Sequence, residues 1–482
     1  MIAYSFIRFL LGLIILGVAM LMVAPSLLAL ELDSRDKMPF LASTAATTIC
    51  GLLLVVSNRN ARRRLNIQEV FLLTTSAWTA ICFFGALPFI FSHTVTNFTD
   101  AIFESVSAVT TTGATVMSNL DDLPKDILLW RSMMQWVGGL GIVALGAAIL
   151  PYLRIGGMRL FRAESSDFSE KVLPKTKSFL LRLLLVYLSI SLTCAAAYKF
   201  AGMSGFDAIN HAMTTVSTGG FSTHDASIDY FDSLAVEIVA LVFMLISAAP
   251  FVLYLPMLSG RLPRLFSDGQ VRTMLVVYFA VSAILIIGLA GAEHGDIQSH
   301  ALAAIFTVVS IGTTTGYVAE DYAAWGHFTL MVIFFATFLG GCSGSTSGGI
   351  KIFRFRIAFI LFRETIQRLL HPNAVFSRTM DHRQLTDEIV ASVAAFALVF
   401  AGTVGTAAVL MAAAGNDLVT SFSAAATATA NVGPGIGDVI GPTSNFAALN
   451  DISKWVTCAA MLLGRLEIFT VLILLTPDFW RT

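Results

Sequence analysis

Charge is scarce in this sequence of 482 residues: only 13% of the residues are Asp, Glu, Lys or Arg, and the formal net charge is −1. Soluble domains usually carry about 25% charged residues. Hydrophobic residues make up 56% of the chain, and phenylalanine alone occurs 37 times. This composition disfavours a soluble enzyme, a disordered chain and a nucleic-acid-binding protein. It is typical of a polytopic helical membrane protein, for which the lipid bilayer is the solvent.

Cysteine is also rare. The five cysteines lie in or beside apolar stretches, and no Cys-x-x-Cys pair occurs among them. We therefore expect buried free thiols instead of a disulfide framework or a thiolate metal site.

Long apolar runs are abundant. A helix needs about 20 apolar residues to cross a bilayer. We predict ten such spans, near residues 5–30, 40–57, 70–92, 127–150, 179–201, 234–257, 273–291, 327–350, 387–414 and 455–476.

The loops between these spans alternate in charge. Lysine and arginine gather in segments 58–68, 154–182, 259–272 and 351–383, and acidic residues cluster in the loops on the other side. The positive-inside rule places the basic segments and both termini in the cytoplasm. Topology alone accounts for these charges, and a partner-docking surface is the alternative for the long 351–383 segment.

Four shorter apolar stretches lie between the spans on the outer side, at 99–111, 205–217, 300–312 and 418–430. Each is too short to cross the membrane and long enough to dip in and return. A turn rich in glycine or threonine follows each stretch, and the four turns contain Gly113, Gly220, Gly316 and Gly433.

Aligning the turns on these glycines tests whether they are repeats. A small hydroxyl residue stands six positions upstream every time, as Ser107, Thr214, Ser310 and Thr427. The unit of span, half-helix, turn and span therefore occurs four times after an extra helix pair, and such repetition indicates architecture. We predict the boundaries 1–66 for the N-terminal pair and 67–157, 158–265, 266–383 and 384–482 for the repeats.

These turns point to a pore. Extended backbone at membrane depth is tolerated only where it is packed in protein or lines water. Four such turns can place rings of carbonyl oxygens around an axis, where they replace the hydration shell of a monovalent cation. The C-terminal ends of the half-helices would direct partial negative charge at that cation.

Two further features lie within the apolar spans. The block 340–349 interrupts a span with five glycines and four Ser or Thr residues, so it cannot form a stiff helix. Arg465 lies in the middle of the last apolar span. A charge at that depth costs several kcal/mol unless it faces protein or water. A kinked packing helix is one interpretation of the block, and an ion pair with Glu467 is one interpretation of Arg465. The family resemblance described next implies instead that both features belong to a gate.

The sequence resembles the Trk/Ktr/HKT superfamily of potassium transporters, and within it the bacterial TrkH subunits. The resemblance covers nearly the whole chain, and several of its motifs are long and unusual. The segments that carry it are the four glycine turns, 219–227, 340–349, 371–375, 431–435, 464–470 and 476–480.

The resemblance implies an all-α polytopic membrane protein in which four potassium-channel-like helix–pore-loop–helix repeats surround one pore, preceded by a transmembrane helix pair. It implies potassium uptake across the bacterial inner membrane, with K⁺ ions in the pore and no nucleotide bound by this chain. The implied partners are a second copy of the chain in a homodimer and a cytosolic TrkA-type ring that binds NAD or ATP.

The resemblance also assigns residues to two sites. The filter residues would be Thr111, Thr112, Gly113, Thr218, Gly219, Gly220, Thr314, Thr315, Gly316, Asn431, Val432 and Gly433. The gating residues would be Gly340, Gly341, Ser343, Gly344, Ser345, Gly348, Gly349, Lys351 and Arg465. Because serine at the first filter position accompanies sodium transport in relatives, Gly113 favours potassium.

Two other function classes stay as alternatives. Gly341-Cys-Ser-Gly344 matches the Gly-x-Ser-Gly pattern of an intramembrane serine protease with Ser343 as nucleophile, but no histidine lies deep in a predicted span to act as its base. A secondary transporter of another fold would usually show two related halves, whereas this chain shows four quarters.

Overall fold

The fold consists almost entirely of helices. The structure is a computed structural model that describes residues 4–35, 37–61, 65–95, 97–148, 172–261, 265–290, 297–374, 378–381 and 383–481. The α-helices are α1 (Tyr4–Glu31), α2 (Lys37–Ser57), α3 (Ile67–Ser92), α4 (Phe98–Val109), α5 (Lys125–Ala148), α6 (Val172–Phe200), α7 (Gly205–Val216), α8 (Leu234–Ala248), α9 (Gly269–Ala290), α10 (Ile297–Gly312), α11 (His327–Ala336), α12 (Ile352–Leu370), α13 (Asp387–Ala413), α14 (Leu418–Ala430), α15 (Asp451–Arg465), α16 (Phe469–Leu472) and α17 (Pro477–Trp480). A small antiparallel ladder pairs β1 (Thr379–Met380) with β2 (Arg383–Gln384).

Seven helices of the described residues are long and apolar enough to cross a membrane, or nine spans if two strongly bent helix pairs each count as one. Helices α1 and α2 pack against each other ahead of the rest. Most of the predicted basic segment 154–182 lies outside the described residues, as do Arg62, Arg63, Arg64, Arg264 and Val375.

Four short helices, α4, α7, α10 and α14, follow α3, α6, α9 and α13 in turn. The first, α4, has 12 residues, which is about 18 Å of helix and well short of a hydrocarbon core of about 30 Å. Asn97, Ser204 and Asp417 begin three of them, since each side chain accepts a hydrogen bond from the backbone N–H three residues later. The four short helices, called half-helices below, therefore occupy the short apolar stretches predicted from the sequence.

Two of the predicted straight spans are wrong in shape. The span at 234–257 bends by 99° between α8 and a 3₁₀ helix (Phe251–Ser259). Pro250 lies at the bend, and proline disfavours helix at the residue before it. The span at 455–476 bends by 104° after Arg465, where Glu467 and Ile468 have positive φ. Arg465 therefore ends a helix at a bend and does not lie within a continuous span.

The second span of the third repeat is interrupted. Helix α11 ends at Ala336, and regular helix resumes only at Ile352. Residues 340–349, hereafter the intramembrane loop, are non-helical and buried or half-buried. The loop's glycine content explains the interruption, because Gly340, Gly344 and Gly349 adopt positive φ angles that most residues avoid.

Candidate functional site

The four glycine turns meet in a closed ring. A Cβ atom placed on Gly113 would lie under 3.0 Å from the carbonyl oxygen of Gly219 in the second turn. The same conflict joins Gly220 to Thr315, Gly316 to Val432, and Gly433 to Thr112. The first turn thus faces the second, the second the third, the third the fourth, and the fourth the first. We call this arrangement the turn ring.

Each half-helix enters the turn ring through the same hydrogen bonds. At the end of α4, the N–H of Thr112 donates to Ser107 O at 2.9 Å and the N–H of Thr111 donates to Ala108 O at 3.0 Å. This pair of bonds is a Schellman motif, which normally places glycine at the left-handed position. The same pair of bonds ends α7, α10 and α14. Thr214, Ser310 and Thr427 accept the bond that reaches back five residues. The hydroxyl positions of the repeat alignment therefore anchor the turns.

The left-handed position of each motif holds an unusual residue. Thr111, Thr218, Thr314 and Asn431 have φ angles of 52°, 51°, 60° and 56°. A β-branched residue at positive φ is a genuine outlier. The glycine two residues later also has positive φ in every turn, whereas the residue between them does not. The sign of φ therefore alternates along the three residues of every turn.

The twelve predicted filter residues thus lie together in this ring. All are buried except Gly113, Gly220 and Gly316, which are half-exposed. The hydroxyl of Thr111 has no hydrogen-bonding partner among the described residues, whereas that of Thr314 accepts the N–H of Gly348 at 2.7 Å.

A buried ion pair links the segments that follow the first two turns. Arg131 of α5 donates to Glu104 of α4 at 2.8 Å, and the two side chains are 1% and 0% exposed. Glu104 also accepts from Thr115 and from the N–H of Val116, which follow the first turn. Arg131 donates in addition to Ser222 O at 3.2 Å.

The fourth and first turns are joined by other side chains. The amide of Asn431 donates to the hydroxyl of Thr112 at 3.0 Å and to Met461 O at 2.9 Å. Near the start of α4, Asp100 pairs with Lys454 of α15 at 2.7 Å, and both side chains are buried. The ring is therefore closed by contacts between residues more than three hundred positions apart.

The intramembrane loop lies directly against the ends of three half-helices. The hydroxyl of Thr346 donates to Val216 O at 3.1 Å, and the N–H of Gly349 donates to Ala430 O at 2.8 Å. Gly348 reaches Thr314, as described above. The loop therefore satisfies last-turn carbonyls of these half-helices.

The remaining predicted gating residues hold the loop itself. Backbone and hydroxyl hydrogen bonds join Gly340 to Tyr278, Gly341 to Ile352, Ser343 to Gln270, Gly344 to Phe251, and Ser345 to Cys342.

Arg465 contacts the loop and not a carboxylate. Its guanidinium donates to Thr346 O at 2.8 Å and to Gly138 O at 3.4 Å, and the residue is 2% exposed. No acidic partner of Arg465 occurs among the described residues. The alternative of an ion pair with Glu467 is wrong, because Glu467 pairs with Arg354 and, at 3.7 Å, with Lys351.

An ionic cluster lies at the outer side of the second turn. His224 pairs with Asp121 and lies 3.5 Å from Asp207. Burial lowers the pKa of His224, but the two carboxylates outweigh it and raise the pKa above its usual value. Burial likewise opposes ionisation of Asp207, yet His224 and the hydroxyls of Ser204 and Thr223 hold its pKa below the usual range. His224 and Asp207 therefore stabilise the charged forms of each other.

Several residues of this site are absent from the sequence-based predictions. Arg131 and Glu104 could have been found by the criterion that identified Arg465, because each is a charged residue within an apolar stretch. Arg354 and Lys454 are inconspicuous in the sequence, because one lies in a basic segment and the other at a span end. Gln135, whose side chain donates to Gly219 O, carries no charge that would mark it in the sequence. A neutral amide within a span is recognised as part of the site only when its hydrogen-bonding partners are known.

The chain matches known proteins over nearly its whole length. A family model described as "TrkH: Cation transport protein" matches residues 36–481. The Trk system potassium uptake protein TrkI of Halomonas elongata is 43% identical over 468 residues, which are 97% of this chain and 95% of that protein. The Trk system potassium uptake protein TrkH of Escherichia coli K12 is 39% identical over 98% of both chains.

A solved structure is similar throughout. The crystal structure of the potassium transporter TrkH from Vibrio parahaemolyticus superposes with a TM-score of 0.92 and 36% sequence identity. The match covers 99% of this chain and 100% of the other.

Proposed function

Because the chain belongs to the TrkH family of cation transport proteins, we propose that it takes up potassium ions as the ion-translocating, channel-like subunit of a Trk system. It is a multi-pass membrane protein, and the predicted fold class is confirmed. The family is one of transport proteins and not of enzymes, so the intramembrane protease is rejected.

The observation that carries the proposal is the closed turn ring. Its alternating backbone can present several levels of carbonyl oxygens to a dehydrated monovalent cation. The half-helices add the negative ends of their dipoles on the inner side. Residues 111–113, 218–220, 314–316 and 431–433 are the proposed filter, and K⁺ is the substrate they hold.

The proposed gate is the intramembrane loop together with Lys351 and Arg465. The loop occupies the inner side of the ring, and Arg465 places a fixed positive charge against it. A cation leaving the filter would meet both, so conduction requires the loop to move. This arrangement supports a gated pathway.

The proposed partners act on the cytoplasmic side. A TrkA-type ring that binds NAD or ATP would dock on the basic inner segments and pull the loop away, and a second copy of the chain would complete a homodimer. The supporting feature is the excess of basic over acidic residues in segment 351–383, although part of this charge is paired within the chain, as between Arg356 and Asp381 and between Arg378 and Glu364. The proposed location is the bacterial inner membrane with both termini in the cytoplasm.

Ion flux into liposomes tests the proposal. Purified protein is reconstituted, and uptake of K⁺, Rb⁺, Na⁺ and Li⁺ is measured with and without the partner ring and nucleotide. We expect K⁺ and Rb⁺ uptake well above that of Na⁺ and Li⁺, and an increase when partner and nucleotide are present.

Protein-free vesicles give the background. Absence of K⁺ flux above that background under every condition would overturn the proposal. Flux that requires a proton or sodium gradient would instead favour coupled transport over a passive channel.

A further inference from the structure

A side-chain amide holds the backbone of the second turn. Among the described residues, no other turn has an equivalent contact. The amide nitrogen of Gln135 donates to Gly219 O at 2.7 Å, and its oxygen accepts the N–H of Phe221 at 3.1 Å. The orientation of the amide follows from its partners, since a carbonyl only accepts and an N–H only donates. Gln135 therefore spans the filter glycine Gly220 with two hydrogen bonds.

Helix α5 reaches the turn because it carries two glycines at the point of contact. A Cβ on Gly138 or Gly139 would lie under 3.0 Å from atoms of Val109 or Ser217. Gln135 lies one turn earlier on this helix and is 0% exposed. A Cβ on Gly219 would likewise collide with its amide, so the side chain lies flush on the backbone.

This contact breaks the fourfold character of the ring. The carbonyls equivalent to that of Gly219 belong to Thr112, Thr315 and Val432. In the part of the chain that the structure describes, none of these three accepts a hydrogen bond. Of the four equivalent carbonyl groups, that of Gly219 accepts a hydrogen bond from α5, and the other three accept none among the described residues.

We propose that Gln135 is a positioning residue for ion discrimination: by holding the Gly219 carbonyl and the Phe221 N–H, it fixes the second turn. Selectivity in carbonyl filters depends on the number of ligands and on how far the filter can contract around a smaller ion. A turn held by Gln135 cannot contract around the smaller Na⁺ ion. Because the Gly219 carbonyl already accepts a hydrogen bond, its oxygen attracts a cation less strongly. The inference rests on the proposed function, because it concerns the same filter.

The test is Gln135→Met, which keeps the length of the side chain and removes both hydrogen bonds. The ratio of K⁺ to Na⁺ uptake is measured in liposomes. We expect the ratio to fall about three- to tenfold, the range that corresponds to one neutral hydrogen bond. K⁺ uptake itself should continue, which shows that the variant is folded.

Ser132→Ala is the matched control on the same helix. Among the described residues its buried hydroxyl donates only within α5, to Leu128 O at 3.1 Å, so the ratio should stay that of the wild type. If Gln135→Met does not reconstitute, Gln135→Asn replaces it, because its shorter amide cannot reach both partners.

Three outcomes are separable. A wild-type protein without K⁺ flux contradicts the proposed function. Wild-type flux with an unchanged ion ratio in the Gln135 variants contradicts the present inference alone, as does an equal loss of K⁺ and Na⁺ uptake. A changed ratio in Ser132→Ala as well would show that α5 packing, and not the amide, sets discrimination.

Discussion

At the scale of single residues, the ring depends on backbone conformations that its side chains disfavour. Three threonines and Asn431 hold left-handed φ angles, which cost roughly 1–3 kcal/mol each and persist only where neighbours enforce them. The Schellman bonds of each half-helix and the contacts between turns provide that enforcement. Strain of this kind is expected where a precise arrangement of carbonyls matters more than stability.

Gly113→Ser tests the first filter position. The serine would adopt a φ of 83°, and its Cβ would approach Gly219 O, so the first and second turns must separate. We expect the K⁺ to Na⁺ uptake ratio to fall by about an order of magnitude, since strain of roughly 1–3 kcal/mol has to be relieved within the filter.

Gly415→Ser is the control for the backbone strain alone. Gly415 has a φ of 100°, a Cβ added to it would meet no atom within 4 Å, and the residue lies outside the ring. Its ion ratio should equal that of the wild type. Equal ratios in both variants would count against the assignment of Gly113 to the filter.

At the scale of elements, the intramembrane loop contacts the half-helices at their last carbonyl groups. The last carbonyls of a helix lack partners within the helix and carry its partial negative charge. In this structure Val216 O and Ala430 O accept hydrogen bonds from the loop. The loop therefore satisfies helix-end carbonyl groups that have no partner within their own helices.

Arg465→Ala tests the gate. The substitution removes the hydrogen bond to Thr346 O and a fixed positive charge beneath the ring. Both effects lower the barrier to a cation, so uptake without the partner should rise about tenfold, as a difference of about 1.4 kcal/mol would give. Liposome flux under a K⁺ gradient measures it.

Arg59→Ala serves as the comparison, because Arg59 is exposed and outside the pathway. Basal flux should not change in this variant. A folded Arg465→Ala protein with wild-type basal flux would remove Arg465 from the gate.

At the scale of the whole molecule, the backbone of the turns repeats four times, but the side chains that join neighbouring repeats differ. We call each boundary between neighbouring repeats a seam. Arg131 and Gln135 join the first repeat to the second, and the Tyr317 hydroxyl bonds to Thr214 at 2.6 Å between the second and third. Tyr322 reaches Gly435 O at 3.4 Å between the third and fourth. The Lys454–Asp100 pair joins the last repeat to the first.

Lys454→Met tests whether that last seam stabilises the fold. Removing one member leaves Asp100 buried beside an apolar side chain, which typically costs about 3–5 kcal/mol. The midpoint of thermal unfolding in detergent should fall clearly, and the double variant with Asp100→Asn should recover part of the loss.

Lys37→Met is the comparison for the charge change. Its pairing with Asp33 is on the surface, so no measurable shift is expected. A Lys454→Met midpoint equal to that of Lys37→Met would show that the seam does not depend on this ion pair.

The sequence by itself determined the membrane class, most of the spans, the four-repeat register and the glycine of every turn. These features are local: apolar run length, half-helix length and a hydroxyl six residues before a glycine can all be counted along the chain. The non-helical character of the intramembrane loop was readable for the same reason.

Only the tertiary structure decided which turn faces which, where two spans bend, and which charges pair. Glu467 has Arg465 two residues away in sequence but selects Arg354, which is 113 positions distant. Gln135 finds Gly219 across 84 positions. Such choices depend on which surfaces meet when helices pack, and no local pattern records them, because the energy of a buried polar group is set by partners that the chain brings from elsewhere.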